Sequence, residues 1–412
     1  MAPASLSERT AFTIEQRDGA ARAGVLRTVH GEVRTPAFVP LASHATVRSL
    51  QATEVAELGY DMVLGNTFHL FIQPGHEHIA ELGGLHEFMA WRRPIVTDSG
   101  GFQVFSMGHG SVAEEVKRRS PGRDGEPNVI EVAEEGVRFR SYLDGSERFM
   151  GPETSMEIQA ALGSDVALAF DECTPFHSGR DYTARSTERT HRWLDRCLEW
   201  RECHASPGQL FLGIVQGGVH RDLRVASAER IAAAEGIDGV AIGGSLGQEK
   251  SQMREVVGWA LDALPDRLPR HLLGIGDVDD VVHAVGAGID WLDCATPTRL
   301  ARHGTALVPD PEARWRLDVT RPPSRSSREP LARGCPCPAC REHTRAYLHY
   351  LARAKELTAV RLLTLHNLTF MAKLVEGLRE AIREGCLAEH ARAILKGRGP
   401  YAAENGRAAD GP

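Results

Sequence analysis

Asp98, Asp171 and Asp293 each stand directly after a short apolar run, and their carboxylates are the groups in this chain best suited to chemistry. The run before Asp293 includes Trp291 and Leu292. In parallel α/β proteins, ligand sites gather at the carboxyl ends of the strands. A strand-end aspartate can also cap the following turn with its side chain. Asp293 alone fits both interpretations, so the rest of the chain has to decide.

Two carboxyl groups in one site can catalyse displacement at an anomeric carbon. One attacks and forms a glycosyl ester, and the other handles protons. Metal binding by the three aspartates is the competing interpretation. The strand segments show no histidine pattern to accompany it, and His76 and His78 stand in a polar helical stretch where solvation is the expected role.

Further residues at strand ends suit a planar heterocycle with several hydrogen-bonding edges. Gln216 and the turn at Gly243 and Gly244 offer amide donors and acceptors beside exposed backbone. Phe102, close after Asp98, has the ring that a base would stack on. A place in a filled core would explain Phe102 equally well.

Eight apolar segments alternate with helical patterns and predict the strands that position these residues. The segments are residues 35–40, 61–66, 94–98, 165–171, 210–218, 239–244, 271–276 and 289–293. Eight strands in roughly 270 residues predict an α/β fold of the (β/α)8 TIM barrel type. A doubly wound open sheet has the same alternation, because periodicity cannot show closure.

The segments predict the organisation of the whole chain. We expect, in chain order, a polar leader at residues 1–20, a barrel at 21–302 with an insertion at 106–150, an Arg-rich metal-binding subdomain at 303–366, helices completing the barrel at 367–396, and a disordered tail at 397–412. Within the insertion, residues 114–137 form a polar, Pro- and Gly-containing excursion. Asp144-Gly145 between two apolar stretches predicts a hairpin.

Cys335, Cys337 and Cys340, followed by His366, predict a metal site. Three thiolates and one imidazole fill a tetrahedron, which describes a closed, structural Zn²⁺ site that would fold an insertion too small for its own core. An iron–sulfur cluster and free thiols in a turn are the alternatives. His366 is preferred because it begins a predicted helix that could return to the cluster. The other candidates for the fourth ligand are His343 and His349.

Composition indicates a soluble, cytoplasmic protein without a membrane segment. The chain has 412 residues and a formal charge of −7, no apolar run that approaches a membrane span, and no secretory signal pattern. Its 8 cysteines are too few for a disulfide scaffold. Residues 303–366 hold 11 Lys and Arg against 6 Asp and Glu, which permits a local basic patch or a solvated loop.

Together these motifs resemble the tRNA-guanine transglycosylase family, also called queuine tRNA-ribosyltransferases, of the bacterial type. The resemblance runs from about Thr35 to Glu384 in the family's order. The stretches that carry it are residues 98–103, 169–173, 216–217, 243–244, 293–299 and the cysteine cluster with His366.

The resemblance implies a zinc-bearing barrel that exchanges guanine at the tRNA wobble position for a deazaguanine, in queuosine biosynthesis. It implies that Asp293 is the nucleophile on ribose C1′ and that Asp98 is the general base for the incoming base. It also implies one structural zinc ion per subunit and a homodimer, with no nucleotide cofactor. By the same resemblance, the base would be bound by Asp171, Gln216, Gly244 and Ser245 and stacked on Phe102, and tRNA would contact Arg299 and Arg302.

The sequence departs from the family pattern near the expected base pocket. Ser245-Leu246-Gly247 replaces a Leu-Ala-Val type of sequence, while Glu249 keeps the acidic position. Gly247 is expected to leave more room in the pocket, and Cys173 is the bacterial-like residue. The resemblance favours 7-aminomethyl-7-deazaguanine as the incoming base, with the larger queuine as the alternative.

Two other functions are compatible with parts of this pattern. A non-catalytic tRNA-binding subunit of the same family would not be expected to retain both Asp98 and Asp293. An archaeal-type transglycosylase would carry extra C-terminal RNA-binding domains, and this chain ends about 46 residues after His366. Both therefore fit less well than the bacterial-type enzyme.

Overall fold

The computed structural model describes residues 11–108, 129–175 and 177–401. Within these ranges the strands are β1 (Phe12–Asp18), β2 (Ala21–Thr28), β3 (Gly31–Thr35), β4 (Ala37–Ala42), β5 (Val63–Gly65), β6 (Ile95–Thr97), β7 (Val129–Val132), β8 (Val137–Arg140), β9 (Glu147–Met150), β10 (Val166–Leu168), β11 (Leu210–Val215), β12 (Gly239–Ile242), β13 (Arg270–Leu272), β14 (Trp291–Cys294), β15 (Thr305–Leu307) and β16 (Arg316–Asp318).

The helices of the same ranges flank these strands. They are α1 (Ala52–Glu57), α2 (Thr67–Ile72), α3 (His76–Glu81), α4 (Gly84–Phe88), α5 (Gly101–Gly108), α6 (Pro152–Leu162), α7 (Arg180–His204), α8 (Arg221–Ala232), α9 (Lys250–Ala263), α10 (Val278–Gly286), α11 (Thr296–Arg302), α12 (Pro338–Glu342), α13 (Arg345–Arg353), α14 (Leu357–Glu384) and α15 (Leu387–Leu395). No helix of the described residues is long and apolar enough to cross a bilayer.

Eight parallel strands close into a barrel in the order β4-β5-β6-β10-β11-β12-β13-β14. The ring closes where β14 pairs with β4 in parallel, with Asp293 opposite Val39. Each of the eight predicted segments overlaps one of these strands, so the predicted barrel is confirmed and the open sheet is wrong. Most residues of these strands are apolar because a parallel sheet inside a ring of helices is buried on both faces. Every residue of β11, for example, is buried.

The barrel interior is filled by one of the two alternating faces of these strands. Val39, Leu212 and Trp291 belong to this interior cluster, which also includes Phe12 and Val33 from a three-stranded antiparallel sheet. That sheet, β1-β2-β3, therefore covers the amino-terminal end of the barrel. Its first strand, β1, lies within residues 1–20, which we predicted to be a polar leader. These residues form a strand because the alternate apolar side chains there can pack on the barrel. Residues 1–10 of that leader lie outside the described residues.

A buried ion pair ties the covering sheet to the barrel. The Arg22 guanidinium donates from Nε to Asp290 Oδ1 at 2.8 Å and to the Leu268 carbonyl at 2.8 Å, and both charged side chains are fully buried. The Arg270 amide also donates to Asp290, at 2.6 Å. Because Asp290 precedes β14, these bonds fix the amino-terminal end of the strand that carries Asp293.

The predicted hairpin at Asp144-Gly145 is confirmed. Strands β8 and β9 pair antiparallel on either side of this turn, and β7 adds a third strand. Gly145 has a φ of 74°, the left-handed conformation that the turn requires. Residues 114–128 of the 114–137 excursion and residues 402–412 of the expected tail lie outside the described residues.

The long helix α14 joins the metal-binding segment to the barrel. It packs against α11, α12 and β15 on one side and against β4, β1 and β2 on the other. The Tyr60 hydroxyl donates to the Leu368 carbonyl at 2.8 Å and fixes the middle of the helix. The segment from β15 to α13 and the first part of α14 form a separate small apolar cluster, which includes Cys335, Cys337 and Leu363.

Candidate active site and metal centre

The three predicted aspartates lie at the carboxyl-terminal end of the barrel. Asp98 directly follows β6, Asp293 is the third residue of β14, and Asp171 stands three residues past β10. All eight strands run in the same direction, so their carboxyl ends form one rim. Ser99, next to Asp98, donates to Asp171 Oδ1 at 2.8 Å. The structure therefore brings the three carboxyl groups into one region.

The partly buried Asp98 carboxyl is held by three donors. The Thr67 amide donates to Oδ1 at 2.9 Å, the Asn66 side chain donates to Oδ2 at 2.5 Å, and the Gln103 side chain donates to Oδ2 at 3.3 Å. Loss of water around the group raises the pKa of Asp98 to about 7 despite these donors, and the charge of Asp293 raises it further. A carboxyl with a pKa near neutrality can both take up and release a proton.

The buried Asp293 carboxylate is held through one oxygen only. Oδ1 accepts a hydrogen bond from His271 Nε2 at 2.8 Å and another from the Gly274 amide at 3.2 Å. Among the described residues no donor engages Oδ2. This arrangement leaves one carboxylate oxygen available for attack on a carbon, as expected for a nucleophile.

Asp171 and Gln216 form a buried polar pair. The side-chain Nε2 of Gln216 donates to Asp171 Oδ2 at 2.6 Å, and its backbone N–H donates to Ser227 Oγ at 3.1 Å. Burial raises the pKa of Asp171 to about 6 against the lowering effect of the Ser99 and Gln216 hydrogen bonds. Gln216 Oε1 is buried and has no partner within the described residues. It is an acceptor for which a ligand donor would compensate.

The backbone at Gly244 and Ser245 lies beside this pair. Gly244 has a φ of 75°, and a Cβ atom there would stand 2.1 Å from Gln216 Oε1, so only glycine fits. The buried Arg224 guanidinium holds the turn in place. It donates at 2.8–3.0 Å to the carbonyls of Val215, Gly218, Gly243 and Ser245. One lone pair of the Ser245 carbonyl is thus already used.

The expectation that Gly247 widens the pocket does not match the structure. A Cβ atom at Gly247 would stand 2.5 Å from the side-chain oxygen of Gln252 and 2.8 Å from its Cγ atom. The same oxygen accepts a hydrogen bond from the Gln248 amide at 3.2 Å. The space beside Gly247 is therefore filled by Gln252. The sequence pattern missed this because Gln252 lies on the next helix, α9.

Phe102 and the two arginines lie at the mouth of the site. The Phe102 ring, in the first turn of α5, is 51% exposed and is therefore not a core residue. Its neighbour Gly101 lies against Asp171, since a Cβ atom there would stand 2.9 Å from Asp171 Oδ1. Arg299 and Arg302 follow Asp293 on α11, the first exposed and the second half-buried.

The side chains of Cys335, Cys337, Cys340 and His366 converge where the metal-binding segment, residues 303–366, meets α14. Their sulfur atoms lie 3.6, 3.5 and 3.3 Å from His366 Nδ1. For bond lengths of roughly 2.3 Å to sulfur and 2.0 Å to nitrogen, a tetrahedral zinc ion sets these ligands about 3.5 Å apart. The four residues therefore form a site that fits a tetrahedral metal ion, with His366 rather than His343 or His349 as the fourth ligand.

The second nitrogen of His366 is also fixed. Nε2 donates to the Leu307 carbonyl at 2.7 Å, which orients Nδ1 toward the sulfurs. The neighbouring Asn367 donates to the Pro297 carbonyl at 2.9 Å and accepts from the Leu307 amide at 2.7 Å. The metal cluster is thus linked through α14 to α11, the helix that carries Arg299.

His30, His86 and Asp165 form a second cluster at the opposite end of the barrel. Each imidazole lies within hydrogen-bond distance of one Asp165 oxygen, at 2.8 and 3.1 Å. The two rings stack with centroids 3.6 Å apart and planes 22° apart. Ring lone pairs that lie in nearly parallel planes do not converge on one ion, so this cluster is a hydrogen-bonded joint rather than a metal site.

Three site residues were missed by the sequence patterns: Asn66, Arg224 and His271. Asn66 follows a predicted strand, and its Gly-Asn-Thr context was a usable signal. An arginine within a helix is normally solvated, and a histidine at the start of an apolar strand has no distinctive spacing. Their roles depend on partners far away in the sequence.

Comparisons with known proteins agree with this geometry. The model of the family described as "Queuine tRNA-ribosyltransferase" matches residues 17–400. A relative of that name from Roseiflexus sp. is 50% identical over 394 residues, covering 93% of this chain and 98% of the relative. A relative of the same name from Pelotomaculum thermopropionicum is 47% identical, and the match covers 91% of this chain and 95% of the relative. Another, from Fusobacterium nucleatum, is 42% identical, and the match covers 90% of this chain and 94% of the relative.

Replacing Arg224 with Met should destabilise the protein, because at least three buried carbonyls lose their donor. We expect a loss of about 2–4 kcal/mol in the free energy of unfolding, measured by urea denaturation. Arg221→Met, an exposed position on the same helix, is the matched control and should change it by less than about 0.5 kcal/mol. Equal effects of the two substitutions would contradict the assigned role of Arg224.

Proposed function

The chain belongs to the queuine tRNA-ribosyltransferase family, and we propose that it replaces guanine at the tRNA wobble position with 7-aminomethyl-7-deazaguanine through a covalent aspartyl-ribosyl intermediate. As a member of this family it is a tRNA-guanine transglycosylase, a pentosyltransferase. The proposal rests on one observation: Asp98 and Asp293 lie at the same rim of the barrel but have different hydrogen-bond surroundings. Asp293 keeps one oxygen available, and Asp98 has a pKa of about 7.

The first displacement uses Asp293 as the nucleophile. Its Oδ2 forms a bond to ribose C1′ while the bond from C1′ to N9 of guanine breaks. The electron pair of that bond leaves with guanine, which takes up a proton. Asp98 supplies this proton, because a carboxyl with a pKa of about 7 is partly protonated at neutral pH.

The second displacement reverses these steps with a different base. Ionised Asp98 accepts the proton from the ring nitrogen of the incoming base, and that nitrogen attacks C1′. The electron pair of the C1′–Oδ2 bond returns to the Asp293 carboxylate. Two inversions give net retention at C1′. One glycosidic bond replaces another, so the reaction needs no nucleotide cofactor.

Base recognition is proposed for the buried polar pair and the turn beside it. Asp171 and Gln216 present carboxylate and amide groups, and Gln216 Oε1 has an unused acceptor. Gly244 and Ser245 add backbone groups at the same wall, and the exposed Phe102 ring offers a stacking face. Such a wall discriminates heterocycles by the pattern of donors along their edges.

The surroundings of Gly247 support the smaller base. Because Gln252 fills the space beside Gly247, the departure from the family pattern does not enlarge the pocket. We therefore propose 7-aminomethyl-7-deazaguanine rather than queuine. A non-catalytic tRNA-binding subunit is the second candidate, and the complete donor sets on Asp98 and Asp293 favour the enzyme.

Two sets of surface side chains indicate the proposed partners, tRNA and a second copy of the chain. Arg299 and Arg302 on α11 are proposed to contact tRNA phosphates, with the Arg-rich segment beyond them. Tyr350 and Leu357 on the metal-binding segment are 64% and 82% exposed, and we propose that a second copy of the chain covers them in a homodimer. The protein would act in the cytoplasm, where its tRNA substrate is found.

The metal is proposed to be one structural Zn²⁺ per chain. The cluster offers three sulfurs and one nitrogen at tetrahedral spacing and is largely buried, which suits a closed site. When bound, zinc would contribute folding energy to the segment. The ligands stand apart from the three aspartates, so no step of the exchange is assigned to the metal.

The exchange reaction itself is the first test. With wobble-guanine tRNA that carries radiolabelled guanine at that position, we expect 7-aminomethyl-7-deazaguanine to release label efficiently and queuine to release much less. Asp293→Asn should abolish release and the covalent adduct seen on a denaturing gel, whereas Asp262→Asn, at an exposed position, should leave both unchanged. Release by the Asp293→Asn variant would refute the nucleophile, and preference for queuine would refute the proposed base.

The pH dependence tests Asp98. The value of kcat/KM for the incoming base should rise with pH and level off, with its midpoint at or below about 7, because only ionised Asp98 accepts a proton. The esterified Asp293 carries no charge and so no longer raises the pKa. Gln103→Leu removes a donor that favours the ionised form and should shift the midpoint upward. Gln16→Leu, an exposed control, should leave the midpoint unchanged. A flat profile from pH 5 to 8 would contradict the assignment of Asp98 as the proton acceptor.

Metal analysis tests the zinc site. The purified protein should contain one zinc ion per chain. Cys337→Ser should lose it and increase proteolysis within residues 303–366, because the segment depends on the metal for its fold. Cys203→Ser, at an exposed cysteine, is the matched control. Iron in place of zinc, or full zinc content in Cys337→Ser, would show the site to be wrongly assigned.

A further inference from the structure

A histidine on β13 contacts the nucleophile directly and has no role in the steps above. His271 is fully buried inside the barrel, with its ring centroid 5.4 Å from that of Trp291. Its Nε2 atom lies 2.8 Å from Asp293 Oδ1, which also accepts from the Gly274 amide. His271 therefore touches the carboxylate at the oxygen that does not attack.

The surroundings of the ring determine where its proton lies. Nδ1 is buried and has no hydrogen-bond partner among the described residues. A protonated ring would leave a buried N–H group at Nδ1 without an acceptor, which is costly. A neutral ring with its proton on Nε2 leaves only a lone pair unmatched and donates to Asp293. Nε2 is thus the ring nitrogen that donates to the carboxylate.

We propose that His271 is a positioning residue that selects the attacking oxygen of Asp293 and speeds breakdown of the covalent intermediate. The proposal rests on the proposed function, because it concerns the ester formed there. Two donors fix Oδ1, so the plane of the carboxylate is set and Oδ2 is presented to C1′.

The same hydrogen bond acts differently on the ester and on the carboxylate. When Oδ2 bonds to C1′ and the C1′–N9 bond breaks, Oδ1 becomes a neutral carbonyl oxygen. When the incoming base nitrogen bonds to C1′, the electron pair of the C1′–Oδ2 bond returns to Asp293. The negative charge is then shared with Oδ1. A donor binds a charged oxygen more strongly than a neutral one, so His271 favours release of the carboxylate.

Three substitutions separate this role from simple packing. His271→Gln can place an amide N–H near the position of Nε2, whereas the side chain of His271→Asn is too short and that of His271→Leu has no donor. We expect kcat for exchange to fall about tenfold to hundredfold in the Asn and Leu variants, the range for a hydrogen bond to a charged group. The KM for the incoming base should change little, because His271 does not contact it.

The covalent adduct supplies a readout that packing alone would not move. On a denaturing gel, the fraction of enzyme bound to tRNA at steady state should rise in the Asn and Leu variants, because breakdown slows more than formation. His271→Gln should restore most of the rate and the lower adduct fraction. Circular dichroism and metal content establish folding of each variant. If Leu at this position prevents folding, the Asn and Gln variants decide the question.

Some outcomes would overturn the proposal. A folded Leu or Asn variant with the wild-type rate would show that the imidazole only packs. Equal loss in the Gln and Asn variants, or a lower adduct fraction, would show that it acts in another way. Failure of the wild-type protein to exchange guanine or form an adduct would instead refute the proposed function.

Discussion

Closure of eight parallel strands into a ring is the constraint on which the site depends. Asp98 directly follows β6 and Asp293 is on β14, and these two strands would stand five strands apart in an open sheet that ran from β6 through β10 to β14. Neighbouring strands are about 4.8 Å apart, so the two strands would lie roughly 24 Å from each other. Pairing of β14 with β4 closes the ring and brings the two carboxyl groups near enough for the charge of Asp293 to raise the pKa of Asp98.

The two carboxyl groups differ because the loops around them supply different donors. Asp98 takes its donors from the turn after β5 and from α5, and burial still raises its pKa. Asp293 takes both of its donors from β13 and the residues after it, at the same oxygen. Environment rather than residue type thus makes the two carboxyl groups different: one has a pKa near neutrality, and the other is held through a single oxygen.

The metal cluster and the covering sheet hold β14 in place from the two ends of the barrel. His366 and Asn367 connect the metal-binding segment to α11 just after Asp293. Arg22 and Asp290 hold the other end of the same strand. Strand β14 is thus anchored on both sides of Asp293, which limits movement of its carboxyl group.

The sequence alone determined the eight strands, the aspartates at their ends and the four residues of the candidate metal site, because each depends on local periodicity or on short spacings. Tertiary structure decided closure, and with it the roles of His271 and Arg224 and the filling of the space beside Gly247 by Gln252. Each of these is a contact between different segments of the chain. A buried arginine and a solvated one look the same in a helix pattern, so only the folded chain shows which carbonyls and carboxylates such side chains meet.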